Sequence, residues 1–192
     1  MVVKEDRRVL RTRKNLKSAM LQLLAEKDFK EISITEISKV ANCNRVTFYS
    51  HYKDSSHLLE DIFQDYLEQL AQYFRDSFKG KKSFLLSDPT RNVPIFEYVQ
   101  KNQFVFSLML VGEVIPGSQN HFCETITSIS RSELQLKEEI WFDIEAINFY
   151  ETYALLGLFI FWIKEDFQTT PEEMAKRLSF LHSTSLGEAI VK

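Results

Sequence analysis

The chain has 192 residues, 44% hydrophobic and 27% charged, enough to bury a real core in one domain or in a small one beside a larger one. Five glycines and four prolines leave little turn chemistry for a β-sheet protein, so the composition points to an all-α fold. The net charge of −3 hides an asymmetry: residues 1–53 hold 12 Lys/Arg against 6 Asp/Glu, and the remainder carries −9. A basic head on an acidic body fits nucleic-acid binding, with uneven surface decoration as the alternative reading of the charge by itself.

Residues 1–13 are mostly charged and show no signal-peptide pattern. They are expected to be a loosely ordered, solvated tail that adds phosphate attraction; insertion of Arg7, Arg8, Arg11 and Arg13 into a minor groove is the other option. A first helix is predicted from about Arg11 to Glu26. Leu16, Ala19, Met20, Leu23 and Leu24 form its inner face, while Lys14 and Lys17 lie on the wet side within reach of a DNA backbone. Phe29 and Ile32 close that small core.

Ser33-Ile34-Thr35-Glu36 is a capping box opening a short helix with Ile37, Val40 and Ala41 on one face. Asn42 stands where the chain reverses, and asparagine tolerates the left-handed conformation needed there. Cys43 takes an apolar turn position and is expected to be a buried free thiol in a reducing compartment; with Cys123 it makes no disulfide framework. Asn44 caps a second short helix, Arg45 to His51, with Val46 and Tyr49 at i and i+3 and Phe48 and Tyr52 flanking them. The rest of its surface (Arg45, Thr47, Ser50, His51, Lys53) consists of donors and cations without a carboxylate. Such a face suits the phosphates and electronegative base edges of duplex DNA.

From Leu16 to about Phe63 the chain resembles the DNA-binding domain of the TetR family of bacterial transcriptional regulators. The resemblance rests on Ile32 to Ser38, Ala41 to Asn44, the run Thr47-Phe48-Tyr49-Ser50-His51-Tyr52-Lys53, and Leu58-Leu59. Asn42 replaces the usual turn glycine, Cys43 a small aliphatic residue, and Ser55 a lysine that often contacts phosphate. The resemblance implies that Thr35, Asn44, Arg45, Thr47, Tyr49, Ser50, His51 and Lys53 bind DNA. Asn44, Arg45 and Thr47 would sit near base edges, and Thr35, Tyr49, His51 and Lys53 on phosphates.

Asp54 caps a long helix predicted to reach Gly80, about 36 Å at 1.5 Å per residue. In the family this helix moves the reading heads when ligand binds. Residues 80–92 form a loop, and Pro94 opens a helix to about Val111. Further helices are expected at His121–Leu136, at about Lys137–Asp166, and after Thr170-Pro171. The apolar run Ala154 to Ile163 is half a membrane span and reads as a core helix, so no membrane partner and a cytoplasmic location are expected. Apolar residues cover every side of that helix, which therefore needs two buried sides, one of them against a second subunit. Met174, Leu178, Leu181 and Leu186 give the last helix an apolar stripe. Val93 to Leu181 also resembles the C-terminal domain of a TetR subgroup of low-GC Gram-positive bacteria, through Pro94 to Tyr98, Gly157-Leu158 with Trp162, and Thr170 to Met174.

The expected organisation is residues 1–54 as arm and DNA-binding domain, 55–80 as connecting helix, and 81–192 as effector-binding and dimerisation domain. Phe96, Phe104, Met109, Phe122, Trp141, Tyr150, Tyr153 and Trp162 are candidates to line a cavity for a lipophilic or aromatic effector; ordinary core packing is the competing reading of each. Glu113, Glu145 and Glu151 could face a cationic ligand or simply water. His51, His57, His121 and His182 show no metal-ligand spacing, and no nucleophile elbow or phosphate loop is visible. No cofactor and no enzyme activity are expected. The resemblance implies a homodimer joined through its last two helices, bound to a near-palindromic operator as a repressor and released by a small effector. The alternative is a regulator controlled by a partner protein docking on the C-terminal domain.

Overall fold

The computed structural model describes residues 7–83, 85, 88–112, 114–134 and 143–183. Contacts divide the chain into two compact units, residues 1–66 and 67–192. Among the described residues all regular structure is helical.

In the first unit, α1 (Arg7–Leu24) buries Leu16, Ala19, Met20, Leu23 and Leu24 along one face. It starts four residues before the expected Arg11, so Arg7, Arg8 and Arg11 belong to a helix rather than to a loose arm. The α2 helix (Ile34–Val40) opens with the expected capping box. Ser33 Oγ accepts from the Glu36 amide at 3.3 Å, and the Glu36 carboxylate accepts from the Ser33 amide at 3.0 Å. Lys27 Nζ donates to Glu36 at 2.5 Å, and this bond, with those from Ser33, holds the Glu36 carboxyl at about 2. At the turn Asn42 takes φ 52°, and the Cys43 amide donates to the Ser38 carbonyl at 2.9 Å, the six-to-one bond of a Schellman ending.

The α3 helix (Arg45–Tyr49) is capped by Asn44, whose side chain accepts from the Val46 amide at 3.0 Å. It ends two residues before the expected His51. The Asp54 carboxylate accepts from the His57 amide at 2.8 Å and starts α4 (Ser55–Asp76). Leu16, Met20, Ile37, Phe48, Leu58 and Leu59 are fully buried and knit the unit together. Val40 and Val46, expected on inner faces, are instead 40% and 75% exposed. Ile37 with Ala41, and Phe48 with Tyr52, fill the inner positions at i and i+4. Val46 lies two residues from Phe48, roughly 200° around the helix. Cys43 is half-buried rather than buried; partial burial still raises its thiol pKa.

The α4 helix runs through the boundary between the units and stops at Asp76, not Gly80, so its length is about 33 Å. In the second unit a 3-10 turn (Pro89–Arg91) precedes α5 (Val93–Lys101) and α6 (Gln103–Leu110). The single helix expected from Pro94 to Val111 is thus two. Asn102 breaks it, adopting φ −113° and ψ 29° while its side-chain amide donates to the Tyr98 carbonyl at 2.8 Å. A short polar side chain that bonds nearby backbone competes with helix continuation.

Gly117, at φ 83°, permits the turn into α7 (Ser118–Glu133), which begins three residues earlier than expected. Asp143 caps α8 (Ile144–Lys164), and α9 (Pro171–Ser183) follows a sharp return. Asp166 and Phe167 lie in that return at φ 50° and 55°. Three contacts to Trp162 hold it. The Phe167 amide donates to the Trp162 carbonyl at 3.0 Å, the Phe167 ring packs on the indole at 4.9 Å, and the indole N–H donates to the Thr169 carbonyl at 2.8 Å.

The buried face of α8 is Thr152, Leu155, Leu156, Phe159 and Trp162. Its opposite face carries Phe149, Tyr150, Tyr153 and Phe161 exposed, and α9 exposes Phe180 and Leu181 beside buried Met174, Ala175 and Leu178. Leu181 is therefore outside the inner stripe expected for it, and Leu186 lies outside the described residues. By length and composition α8 is long enough to cross a bilayer, unlike the ten-residue run Ala154 to Ile163. Its inner face nevertheless packs on the other helices, and Glu145 in its first turn is paired with Arg131. A core helix with one uncovered apolar face accounts for both.

Candidate nucleic-acid interface

The short α3 helix is positioned from beneath. Phe48 is wholly buried and Tyr52 is 3% exposed, so the helix is anchored through one edge and turns its other residues outward. Arg45, Ser50 and Lys53 are exposed, Tyr49 is half exposed, and Thr47 and His51 are half-buried. Thr35, in the first turn of α2, is exposed too. Asn44 is exposed, but its side-chain oxygen is engaged in capping α3, which limits it to contacts made by its amide group.

Ser50 Oγ donates to the Thr47 carbonyl at 2.7 Å, and the Lys53 amide donates to His57 Nδ1 at 3.2 Å. Between Ile37 and Lys53 the sequence contains no carboxylate, so the charged and polar groups on this surface are cations and hydrogen-bonding groups without an acid, beside the exposed Val40 and Val46. The exposed Lys39, at the end of α2, belongs to that surface and was not among the predicted residues. Its signal was simply its place inside the acid-free stretch.

A charged cluster holds this surface in place. Asp61 on α4 accepts from both sides: Arg13 of α1 reaches its two oxygens at 3.0 Å, Tyr52 Oη donates at 2.7 Å, and Lys17 Nζ lies at 2.8 Å. Lys17 also meets Asp65 at 2.5 Å. Burial pushes the Asp61 carboxyl up, but the bonds from Lys17, Tyr52 and Arg13 outweigh it and hold the group at about 2. Burial, then the bond to Asp61, pushes the Tyr52 phenol up to about 12. The hydrogen bonds with Tyr52 and Asp61 raise the Arg13 pKa further. Lys17 and Arg13 are therefore engaged in ion pairs within the unit; for Lys17 this departs from the expected contact with a DNA backbone, and for Arg13 from both the solvated tail and the minor-groove option. Lys14 stays exposed as expected.

In the second unit the ligand-pocket candidates divide. Phe96, Met109, Phe122 and Trp162 are buried, and three of them pack on one another's neighbours: Phe96 on Phe159 at 5.2 Å and on Trp162 at 5.6 Å, Phe122 on Phe159 at 5.8 Å. Phe104, Tyr150 and Tyr153 are 40%, 73% and 45% exposed and line no interior. Phe104 turns out because the break at Asn102 resets the phase of α6, and Tyr150 and Tyr153 lie on the outer face of α8. Trp141 and Glu113 lie outside the described residues. Glu145 is engaged by Arg131, whose Nε donates to it at 3.0 Å, and Glu151 is half-buried. Leu158, Phe161, Phe180 and Leu181 form an open groove between α8 and α9, edged by Glu173, Lys176 and Arg177.

A compact head in which a short helix, a tight turn and a second short helix present donors outward has the helix-turn-helix arrangement. The transcriptional regulator C-terminal region model of TetR type matches residues 93–183. The chain is 24% identical over 174 residues to the uncharacterized HTH-type transcriptional regulator YxbF of Bacillus subtilis, covering 85% of this chain but only 42% of that protein's length. Its fold matches a TetR transcriptional regulator from Streptococcus agalactiae (TM-score 0.63, 22% identity, 92% of this chain and 96% of the other). It also matches the dihydroxyacetone kinase operon activator DhaS (TM-score 0.62, 18% identity, 88% and 93%). Over residues 93–183 the chain is therefore similar to the C-terminal region of TetR-type regulators, and its fold is the one seen in TetR-family structures.

Proposed function

We propose that the first unit binds duplex DNA through α3, with Arg45, Thr47 and the Asn44 amide near base edges. Thr35, Tyr49, Ser50, His51 and Lys53 then hold phosphates and set the register. The observation that carries this reading is the acid-free, donor-bearing outer face of a helix pinned from below by Phe48 and Tyr52. Two copies joined along the exposed apolar residues of α8 and α9 bring two such heads to a near-palindromic operator, with half-sites about one DNA turn, roughly 34 Å, apart. Residues 1–54 act as the head, 55–80 as the connection and 81–192 as the regulatory body, in the cytoplasm. Repression by occupying a promoter, relieved by a small lipophilic or aromatic effector, is the mode of action the family implies.

One observation favours a second reading of the control step. Phe96, Phe122, Phe159 and Trp162 fill the interior with one another, while Leu158, Phe161, Phe180 and Leu181 lie in an open groove. A partner protein on the C-terminal body would then set activity without a small ligand.

Selecting duplexes from a random-sequence pool with the full chain tests the DNA reading. Enrichment of a two-fold symmetric motif, lost with Arg45→Ala, supports it. Failure to retain any duplex at low ionic strength refutes it.

A further inference from the structure

Among the described residues of the first unit, the most exposed large apolar side chain is Val46, at 75%. It sits in the first turn of α3, between Arg45 and Thr47. Helical geometry places each residue roughly 100° from the last, so Val46 stands roughly 200° from the buried Phe48, near the centre of the outward face. Arg45 and Tyr49 flank it on one side and Thr47 on the other. Its isopropyl group forms no part of the core, which Phe48, Tyr52, Leu58 and Leu59 complete without it. A β-branched residue also has little intrinsic reason to be in a five-residue helix, since it lowers helix propensity. An exposed apolar group at the centre of a donor-rich surface is costly in water and needs an apolar counterpart in whatever covers it.

A duplex offers one prominent apolar group in its major groove, the C5 methyl of thymine; phosphates, sugars and the other base edges there present polar atoms. We propose that Val46 is a specificity-determining residue that packs on a thymine C5 methyl in each half-site. This rests on the DNA-binding reading above and gives that surface a sequence preference which Arg45 and the phosphate-binding residues do not supply. Burying one methyl contact is worth a factor of about three to ten in affinity.

The test uses the full-length protein and duplexes it selects from a random pool. Replacing each thymine by uracil removes only the methyl. For the wild-type chain, uracil at one position per half-site weakens binding about three- to ten-fold. For Val46→Ala the same replacement has no effect, and selection with that variant loses the thymine preference there. Because Val46 is solvent-exposed, the variant keeps the wild-type melting temperature and still retains duplexes. The proposal is overturned if the selected motif lacks thymine, if no uracil replacement weakens wild-type binding more than two-fold, or if Val46→Ala shows an undiminished penalty. Failure of the wild-type chain to retain any duplex overturns the DNA reading as well, so the two failures are distinct.

Discussion

Replacing Asp61 with asparagine probes how the head is held together. The carboxylate is 18% exposed and accepts bonds from Arg13, Lys17 and Tyr52, which lower it from 3.8 to about 2 against the opposing effect of burial. At about 1.4 kcal/mol per pH unit that depression corresponds to roughly 2 kcal/mol, reduced to about 1–2 kcal/mol for partial solvent screening. Because the folded pKa lies below the unfolded one, this contribution is complete above about pH 4 and disappears as pH falls through about 2. Asp61→Asn also removes the carboxylate that Arg13 and Lys17 share, adding a penalty of about 1 kcal/mol. Urea unfolding of the full chain at pH 7 is expected to show a loss of about 2–3 kcal/mol in the transition of the first unit. That difference from wild type narrows between pH 4 and pH 2. The exposed neighbour Glu60, changed to glutamine, is the control and changes stability by less than about 0.5 kcal/mol. A loss under about 0.5 kcal/mol for Asp61→Asn, or a difference independent of pH across that window, would refute the reasoning.

Arg45→Ala should cost about 1–3 kcal/mol at one operator position and relax selectivity there, as read by competition binding with single-base variants; a uniform loss would place Arg45 on phosphate instead. Lys53→Ala should weaken selected and scrambled duplexes alike and lower the salt slope of log K by about 1. Phe161→Asp combined with Leu181→Asp places carboxylates on the exposed α8 and α9 faces. Sedimentation should show monomers for the variant against the dimer proposed for the wild type, and a variant that stays dimeric rules that interface out. Asn42→Ala, which forces an alanine to φ 52°, should lower stability by about 1 kcal/mol in thermal unfolding, with Asn42→Gly neutral or better.

The head was readable from sequence because its signals are local. A capping box at Ser33 and Glu36, an asparagine at the reversal and another at the next cap each act within three or four residues. What escaped reading depends on distant partners. Nothing near Arg13 or Lys17 announces Asp61, 48 and 44 residues away, so two cations that look free to meet phosphate become ion-pair partners within the unit. Val46 was misplaced because i,i+3 spacing with Tyr49 and i,i+4 spacing of Phe48 with Tyr52 describe competing faces of one short helix. Burial decides between them: Phe48 and Tyr52 are inside, Val46 and Tyr49 outside.

In the second unit the aromatic residues gave the class of the interior but not its contents. Phe96 and Tyr150 have the same apolar character on paper, yet one is buried and the other 73% exposed. The break at Asn102 was also hidden, since a single asparagine within an apolar run is compatible with a continuous helix until its amide finds the Tyr98 carbonyl. In the head, Thr35, Arg45, Thr47 and Tyr49 lie in their expected helices while Ser50 and His51 fall just beyond the end of α3, whereas the pocket candidates scatter between core and surface.

The proposed interface with duplex DNA is the outer face of α3. Equilibrium titration of a duplex selected from the random pool, followed by fluorescence anisotropy across a salt series, measures this directly. The expected result is tight binding at low ionic strength, with log K falling linearly in log salt and the slope reduced by about 1 on Lys53→Ala. Anisotropy that stays flat at low ionic strength, or a slope and affinity unchanged by both Arg45→Ala and Lys53→Ala, would contradict it.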